Sequence, residues 1–448
     1  MMFTYSDIQK AVNGSILQEG NPGKVRRIST DSRKAKRGDL FFAIKGDRFD
    51  GHQFIPQVIQ SGVQVVIVEK KITCPCDVTV IQVKSSVRAM GLLARFYRDQ
   101  FSIPVIAITG SAGKTSTKEI LAKVLSSQYK VLKNEKSFNN QIGVPLTLFQ
   151  LRASHQVAVL ELGTNQLGDI EELTKICRPT ISIFTNIGDS HLLGLTNRQG
   201  VFKEKKQLIR FMKKDGVVIL NQDDSLLRTV RSTKKVLSYG IHNKASYQAQ
   251  EVRAIRGRTF FKLGKEEICF RGVGEHQLYN RLAAISCSRL LGISYNNIKN
   301  SIKRVKELAG RFEVVSCSGI DIINDTYNAN VVSFKAAVDA VLSMKVRGRR
   351  FVVCGDMLEL GKFSLKIHRE VGELLAKSSV DVVMSFGKES AAISKAFSQM
   401  AKAGVGKHFQ SRAGLHQAVK RFLKPGDCVL IKGSRGMKME KTVEFLLK

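Results

Sequence analysis

The chain has 448 residues, 43% of them hydrophobic and 25% charged, with a formal net charge of +34. That length exceeds one hydrophobic core and suggests about three domains, and the composition is that of a globular protein, which excludes disordered and fibrous classes. No apolar run approaches the ~20 residues of a membrane span, and Met1 to Val12 has no basic segment leading into an apolar one, so a cytoplasmic protein without membrane insertion is expected.

In chain order, residues 1 to 100 alternate short strands and helices. Asp39 to Ile44 reads as a strand, Phe54 to Ser61 as a helix, Val63 to Val68 as a strand and Val87 to Arg98 as a helix. A new core opens at Ile103. Strand-like runs recur at Val105–Ile108, Val157–Leu160, Ile181–Thr185 and Val217–Leu220, with helical stretches between several of them, such as Thr117–Ser126 and Gly200–Met212. This alternation predicts a parallel sheet with helices on both faces. Ala245 to Gly272 is β-rich and is expected to form a small antiparallel excursion. A basic helix ending in Ala309-Gly310-Arg311 marks the next boundary. Beyond it, Ile320–Ile323, Phe351–Val353, Val382–Phe386 and Val429–Ile431 again read as strands. The expected fold is α/β in three domains, 1–100, 101–310 and 311–448.

The charge is spread along the chain, with modest clusters at Lys203 to Lys206 and Arg347 to Arg350, no interleaved aromatics and no Trp. It carries no nucleic-acid signature, and no nucleic-acid partner is expected. Of eight cysteines only Cys74 and Cys76 are close, and C-x-C is neither a zinc nor a thioredoxin spacing. Cys287, Cys354 and Cys428 sit in apolar runs and read as reduced core residues.

The most informative stretch is Ile106 to Thr117. An apolar strand breaks at Gly110-Ser111-Ala112-Gly113-Lys114-Thr115-Ser116 and continues into helix formers. Glycines let backbone N–H groups converge on an anion, and the helix N-terminus adds its positive end. Lys114 would hold the outer phosphates and the Thr115 hydroxyl would reach Mg²⁺. Only two residues separate the glycines, so this is a shortened phosphate loop; a glycine-rich turn without a ligand is the alternative.

Glu161 closes the run Val157–Leu160, and a carboxylate at a parallel strand's C-terminal end points into the crevice where open α/β sheets bind ligands. It reads as a Mg²⁺ ligand or as an exposed strand-end acid, and the neighbouring loop favours the metal. His191 follows the next strand end and could ligate a metal, fill a polar core or sit in a loop. Lys205 lies in a segment that reads at first as a solvated basic helix. Asn139 and Asn140 precede Gly143-Val144-Pro145, and neutral amides there can bind a substrate peptide or phosphate oxygens. Asp325-Thr326-Tyr327-Asn328-Ala329-Asn330 suits ribose or base recognition, or forms an Asx-rich turn.

In this order the segments resemble the Mur ligases, the ATP-dependent amide ligases of bacterial peptidoglycan precursor synthesis. The likeness rests on Thr109–Ser116, Glu161-Leu162-Gly163, Asn186 with His191, and Asp325–Asn330, and it runs from about residue 28 to the C-terminus. Thr30–Arg33, Gly38–Gly46, Asp50–His52, Asn139–Thr147, Gly355–Gly361 with His368, and Lys432–Met437 are similar to the branch that adds a D-alanyl-D-alanine dipeptide. Two places differ from the family pattern. Gly274-Glu275-His276-Gln277-Leu278-Tyr279-Asn280-Arg281 has Gln277 where asparagine and Arg281 where alanine is usual, and Val331 stands where proline is common.

The resemblance implies an N-terminal domain gripping a UDP-sugar, a central P-loop-type ATPase and a C-terminal Rossmann-like domain. It implies UDP-MurNAc-tripeptide and D-Ala-D-Ala as substrates, ATP and Mg²⁺ (two ions) as cofactors, and a monomer. Thr115, Glu161 and His191 match Mg²⁺-binding positions, and Lys205 falls where the family carries a carbamylated lysine. Lys114, Lys205 and His191 are thereby the expected catalytic set. Asn280 and Arg311 match nucleotide contacts, with Asp325 and Asn328 in the adenosine-facing motif. Ser32, Arg33, Gly46, His52, Asn139, Asn140, Lys432, Ser434 and Arg435 fall in the substrate motifs. Other readings are a diamino-acid-adding or folylpolyglutamate-type ligase and a nucleic-acid-stimulated ATPase.

Overall fold

The computed structural model describes residues 3–21, 23–46, 49–306 and 308–448. Its three main sheets follow one another along the chain. In the first, Ser15–Gln18, Thr79–Gln82, Val65–Val68, Asp39–Phe42 and Arg27–Ser29 lie side by side, all parallel except the Ser15–Gln18 edge. The second has seven parallel strands, in the order Tyr247–Gln248, Lys235–Gly240, Val217–Asn221, Ile181–Phe184, Val105–Thr109, Val157–Glu161 and Val131–Lys133. The third runs Glu313–Cys317, Ile320–Asp325, Cys428–Lys432, Arg350–Gly355, Val382–Phe386 and Val405–Phe409, with only its first pair antiparallel.

The strand positions follow from the apolar runs. Val105 to Ile108 and Val157 to Leu160 are buried on both faces, as strands of a helix-covered parallel sheet must be. Helix Lys114–Leu125 packs Ile120, Leu121, Val124 and Leu125 into a core shared with Leu278, Leu282 and Ile285 of helix Glu275–Leu290. The β-rich segment is a three-stranded antiparallel sheet, Gln250–Ile255, Arg258–Leu263 and Glu266–Arg271. One expectation fails. The basic helix ends at Lys303 and does not reach Arg311. Its buried stripe is Ile298, Ser301 and Ile302; Val305 continues the spacing and packs against the same core from outside the helix, and Gly310 turns the chain at φ +71°.

Sheet order fixes where ligands can go. Strand Val105–Thr109 lies between Val157–Glu161 and Ile181–Phe184, so the chain departs to opposite sides at its C-terminal end. That reversal opens a crevice there. In the third sheet Cys428–Lys432 is inserted between Ile320–Asp325 and Arg350–Gly355, which sets Asp325 beside Lys432 in register.

Two joints link the units. At the first, the buried Arg98 guanidinium donates to the carbonyl oxygens of Cys177, Phe101 and Ile103, at 2.8, 2.7 and 3.4 Å. Tyr97 donates from its hydroxyl to Leu151 O at 2.8 Å. At the second, His276 meets Phe312 edge-on with ring centroids 5.1 Å apart, and its Nδ1 is buried with no hydrogen-bond partner among the described residues. Burial above all holds the His276 pKa down at about 4, so the ring is neutral at pH 7.

Replacing Arg98 by Met should lower stability by about 2–3 kcal/mol, read from urea unfolding, because its carbonyl acceptors lose their donor. Arg98→Lys should recover little, since one ammonium cannot copy a planar fork. The second joint predicts a pH dependence. A histidine with a depressed folded pKa gives stability that is complete above the unfolded value of about 6.5 and is lost as pH falls toward the folded value. Unfolding free energy of the native chain should therefore drop between pH 6.5 and about 4. His276→Asn should lack that component, and equal pH slopes for the two proteins would refute it.

Candidate active site

The crevice at the switch point is the mouth of a cleft of about 1290 Å³, walled by the central unit on one side and the C-terminal unit on the other. Its floor is the Gly110–Ser116 loop. Gly110 (φ +151°) and Gly113 (φ +84°) adopt backbone conformations that side chains disfavour, and neither has room for one. A Cβ on Gly110 would lie 1.8 Å from Thr185 Oγ1, and one on Gly113 would lie 2.3 Å from Asn280 Oδ1.

The next strand end holds this loop. Ser111 N–H donates to Asn186 O at 3.0 Å and Ala112 N–H to Asn186 Oδ1 at 2.9 Å. Asn186 Nδ2 and Thr185 Oγ1 donate in turn to Ala112 O. Gly113, Lys114, Thr115 and Ser116 line the cleft where helix Lys114–Leu125 begins, and the first N–H groups of a helix have no intrahelical acceptor. Lys114 Nζ donates to Gly110 O at 2.7 Å, curled over the loop. Desolvation lowers its pKa against the attraction of Glu161, and Arg311 adds to the lowering.

The Thr115 hydroxyl donates to Glu161 Oε2 at 2.7 Å and accepts from Arg311 Nη2 at 2.9 Å. Asn139 Nδ2 donates to Glu161 Oε1 at 2.8 Å. Asn140 acts on the backbone instead, its Oδ1 accepting from Ile142 and Gly143 N–H at the start of helix Gly143–Leu148. Glu161 is aimed by Asn134, which sequence reasoning left without a role. The buried Asn134 amide donates to Glu161 O and Phe138 O and accepts from Glu161 N–H, while its own carbonyl accepts from the buried Lys118 ammonium at 2.6 Å. Position within an amide-rich stretch was the only signal for it.

From the C-terminal unit, Lys432 Nζ pairs with Asp325 Oδ2 at 2.5 Å and donates to Asn328 O at 3.1 Å. Arg311 lies over the Tyr327 ring, 4.0 Å from its centroid. Arg435 faces the same ring from 5.6 Å, pairs with Glu440 and borders the cleft. Ser434 is buried, and its Oγ accepts from Leu358 N–H. Asn330 Nδ2 reaches across to Ser111 O at 3.1 Å.

His191 lines the cleft, with its Nδ1 2.7 Å from Glu359 Oε2 of the C-terminal unit. Lys205 is buried in helix Arg198–Phe211, and among the described residues its ammonium has no hydrogen-bond or ion-pair partner. Burial lowers its pKa well below the usual lysine value, and Lys114 adds repulsion. Ser32, Arg33, Gly46 and His52 belong to the N-terminal unit and stand outside this cleft. There Arg33 pairs with Asp31, whose pKa falls to about 2, and the buried His52 joins Asp50 to Glu69 N–H.

The two departures from the family pattern are accommodated. Arg281 Nη1 donates to Gln277 O and Oε1, and its guanidinium lies 3.8 Å from the Phe270 ring centroid, so the two unusual residues hold each other. Val331 is the first residue of helix Val331–Leu342, capped by Asn330. Proline is favoured at that position but not required.

The donor set of Thr115 and Glu161 is hard oxygen, which suits Mg²⁺. Among the described residues no three or more His, Cys, Asp or Glu side chains gather into a metal cage. That also fits Mg²⁺, which relies on one or two carboxylates together with phosphate oxygens and water.

Comparison with known proteins agrees with this geometry. Three family profiles match in succession: "Mur ligase family, catalytic domain" over residues 24–98, "Mur ligase middle domain" over 108–288 and "Mur ligase, glutamate ligase domain" over 310–435. UDP-N-acetylmuramoyl-tripeptide–D-alanyl-D-alanine ligase of Bacillus subtilis is 35% identical over 99% of this chain and 98% of its own length. The Escherichia coli protein of that name is 34% identical over 99% and 98%. Among solved structures, MurF from Acinetobacter baumannii superposes with a TM-score of 0.91 at 32% identity, covering 100% of this chain and 99% of its own. MurF from Thermotoga maritima in complex with ADP gives 0.86 at 30% identity, covering 94% and 97%. The shortened phosphate loop, the carboxylate beside it and the third sheet that closes over them therefore have one common origin: the chain belongs to the Mur ligase family.

Proposed function

We infer that the protein joins D-alanyl-D-alanine to UDP-N-acetylmuramoyl-tripeptide, driven by ATP, in peptidoglycan precursor synthesis. The observation that carries this is one crevice where Lys114, the loop N–H groups and the Thr115–Glu161 pair face Asp325, Lys432 and Arg435 of another unit. A nucleotide phosphate and a second reactant can meet there. In this reading residues 1–100 grip the UDP-sugar through Ser32, Arg33, Gly46 and His52, residues 101–310 bind ATP, and residues 311–448 close over it.

The first step passes the γ-phosphoryl group of ATP to the terminal carboxylate of the tripeptide, forming an acyl phosphate and ADP. Positioning and charge stabilisation supply most of what this step needs. Lys114 swings from Gly110 O to the outer phosphate oxygens, and the N–H groups of the first helical turn receive the rest. Arg311, already on Thr115 Oγ1, lies where it can steady the nucleotide, and Asn280 fills the space behind Gly113. In the second step the dipeptide amine attacks the acyl carbon, the C–N bond forms, and the tetrahedral intermediate expels inorganic phosphate as the amine loses a proton. Asn139 and Asn140 on one wall, and Lys432 and Arg435 on the other, are assigned to the peptide reactants, together with Ser434, which is buried outside the cleft lining.

Thr115 and Glu161 would hold one Mg²⁺, and Glu161 with a carbamylated Lys205 and His191 a second; bound there, the ions would offset charge on the phosphoryl oxygens. Lys205 suits carbamylation because CO₂ adds only to a neutral amine, and burial shifts this one toward the neutral form. The new N–C bond releases one proton and turns a buried neutral amine into an anion.

Phosphate release should require both UDP-MurNAc-tripeptide and D-Ala-D-Ala. Release with neither, or with D-Glu or a diamino acid in place of the dipeptide, would sink the assignment. Lys205→Ala should lower turnover by more than about 100-fold, and millimolar bicarbonate should restore part of it. Normal turnover in that variant would remove the carbamate from the scheme.

A further inference from the structure

Glu359 has no part in the steps above. It lies in the turn after strand Arg350–Gly355 of the C-terminal unit, and its carboxylate reaches out of that unit to the His191 ring, with Oε2 2.7 Å from Nδ1. Both residues have left-handed backbones, His191 at φ +54° and Glu359 at φ +65°. Such conformations cost about 1 kcal/mol or more for residues with a side chain and persist only where the surroundings impose them.

The surroundings do impose them. Met357 N–H donates to Nε2 of the buried His368 at 2.9 Å, and Leu358 N–H donates to Ser434 Oγ at 2.9 Å. The Asp356 carboxylate accepts from the N–H groups of Lys388 and Ser390. Across the joint, Leu193 N–H donates to Glu359 O at 3.2 Å. Gly361 (φ +55°) rests against Leu193, where a Cβ would meet Leu193 Cδ1 at 3.3 Å. The turn is fixed on four sides, and its half-exposed carboxylate is aimed at one imidazole.

An ionised carboxylate only accepts hydrogen bonds, so Glu359 selects an Nδ1–H on His191. The neutral ring then carries its lone pair on Nε2. A ring free in water prefers the opposite arrangement, so this selection costs energy that Glu359 must supply. Histidines that ligate metals are commonly fixed this way, with a carboxylate on the second nitrogen. Here the carboxylate comes from a different unit than the ring.

We propose that Glu359 is a positioning residue of the ligase: it sets the His191 tautomer so that Nε2 is a lone-pair donor toward Mg²⁺. It does so only while the C-terminal unit sits against the central one, which couples closure to a competent metal site. This rests on the ligase reading above.

The test uses the ¹⁵N-labelled full-length protein, with the His191 ring signals assigned by their loss in His191→Gln. Long-range proton–nitrogen spectra should show Nδ1–H on His191 in the native protein and a shift toward Nε2–H in Glu359→Ala. Glu359→Gln, whose amide can donate to Nδ1 as well as accept from it, should lose the selection and also shift toward Nε2–H. In the phosphate-release assay Glu359→Ala and Glu359→Gln should each lose 10–100-fold in kcat with the KM for ATP changed less than about threefold. An Nε2–H ring in the native protein overturns the proposal. So does Glu359→Ala with unchanged tautomer or turnover, or either variant with its ring shifted to Nε2–H at full turnover. A native protein inactive on both peptide substrates would instead defeat the ligase reading, and the tautomer measurement would still decide the role of Glu359.

Discussion

Everything in the cleft depends on how the strand end at Thr185 to Gly188 clamps the loop Gly110 to Gly113. The loop cannot hold itself, because the two glycines at its ends leave its backbone free to move. Asn186 resolves this by accepting from Ser111 and Ala112 N–H and donating back to Ala112 O. Ser111 Oγ and Gly188 exchange two further hydrogen bonds at 2.9 Å. The clamp needs close approach, which is why Gly110 has no space for a side chain beside Thr185. It also fixes the start of helix Lys114–Leu125, hence Thr115 and, through Thr115, Glu161 and Arg311. Movement of one strand end would propagate through every one of these contacts.

The clamp also explains what could be read from the sequence and what could not. Strand and helix positions were legible because apolar runs such as Val105–Ile108 and Val157–Leu160 have one physical meaning in a helix-covered sheet. Lys114, Thr115 and Glu161 were legible because a glycine loop and a strand-end acid are local features. Asn134 was not, because it satisfies backbone groups of Glu161, 27 positions away, and nothing local marks it. Glu359 was hidden for the same reason: its partner is 168 residues distant. The helix expected to reach Arg311 stops at Lys303 although the apolar spacing runs on to Val305, which packs against the core from outside the helix. Lys205 looked like a solvated residue from its neighbours Lys203 and Lys206, and only packing shows it buried.

The units cohere through a shared core, and polar contacts cross between them at the cleft rim. One continuous core runs from Phe3 through Ala107 and Phe184 to Phe334 and Leu430, so burial supplies the cohesion. The contacts at the cleft rim are single hydrogen bonds and ion pairs: Asn330 on Ser111, Arg311 on Thr115, Glu359 on His191. Each is worth about 1–3 kcal/mol at most. A rim held by a few such bonds can open to admit substrates without disturbing the core.

The excess positive charge has a different explanation from the cleft. With a net charge of +34 the chain invites the view that basic residues gather where polyanions bind. Among the described residues, however, the cleft walls carry about as many Asp and Glu as Lys and Arg, with Glu161, Asp223, Asp224 and Asp325 among them. Several are committed to backbone: Asp224 accepts from the N–H groups of Ile187, Leu226 and Leu227, and Asp223 from those of Ile241, His242 and Asn243. A triphosphate entering this balanced cleft meets carboxylates as well as Lys114, and divalent cations are the simplest way to reconcile them. The basic surplus therefore belongs to the outer surface. Selectivity in the cleft comes from where single charges are fixed, as Lys432 is by Asp325, and not from how many there are.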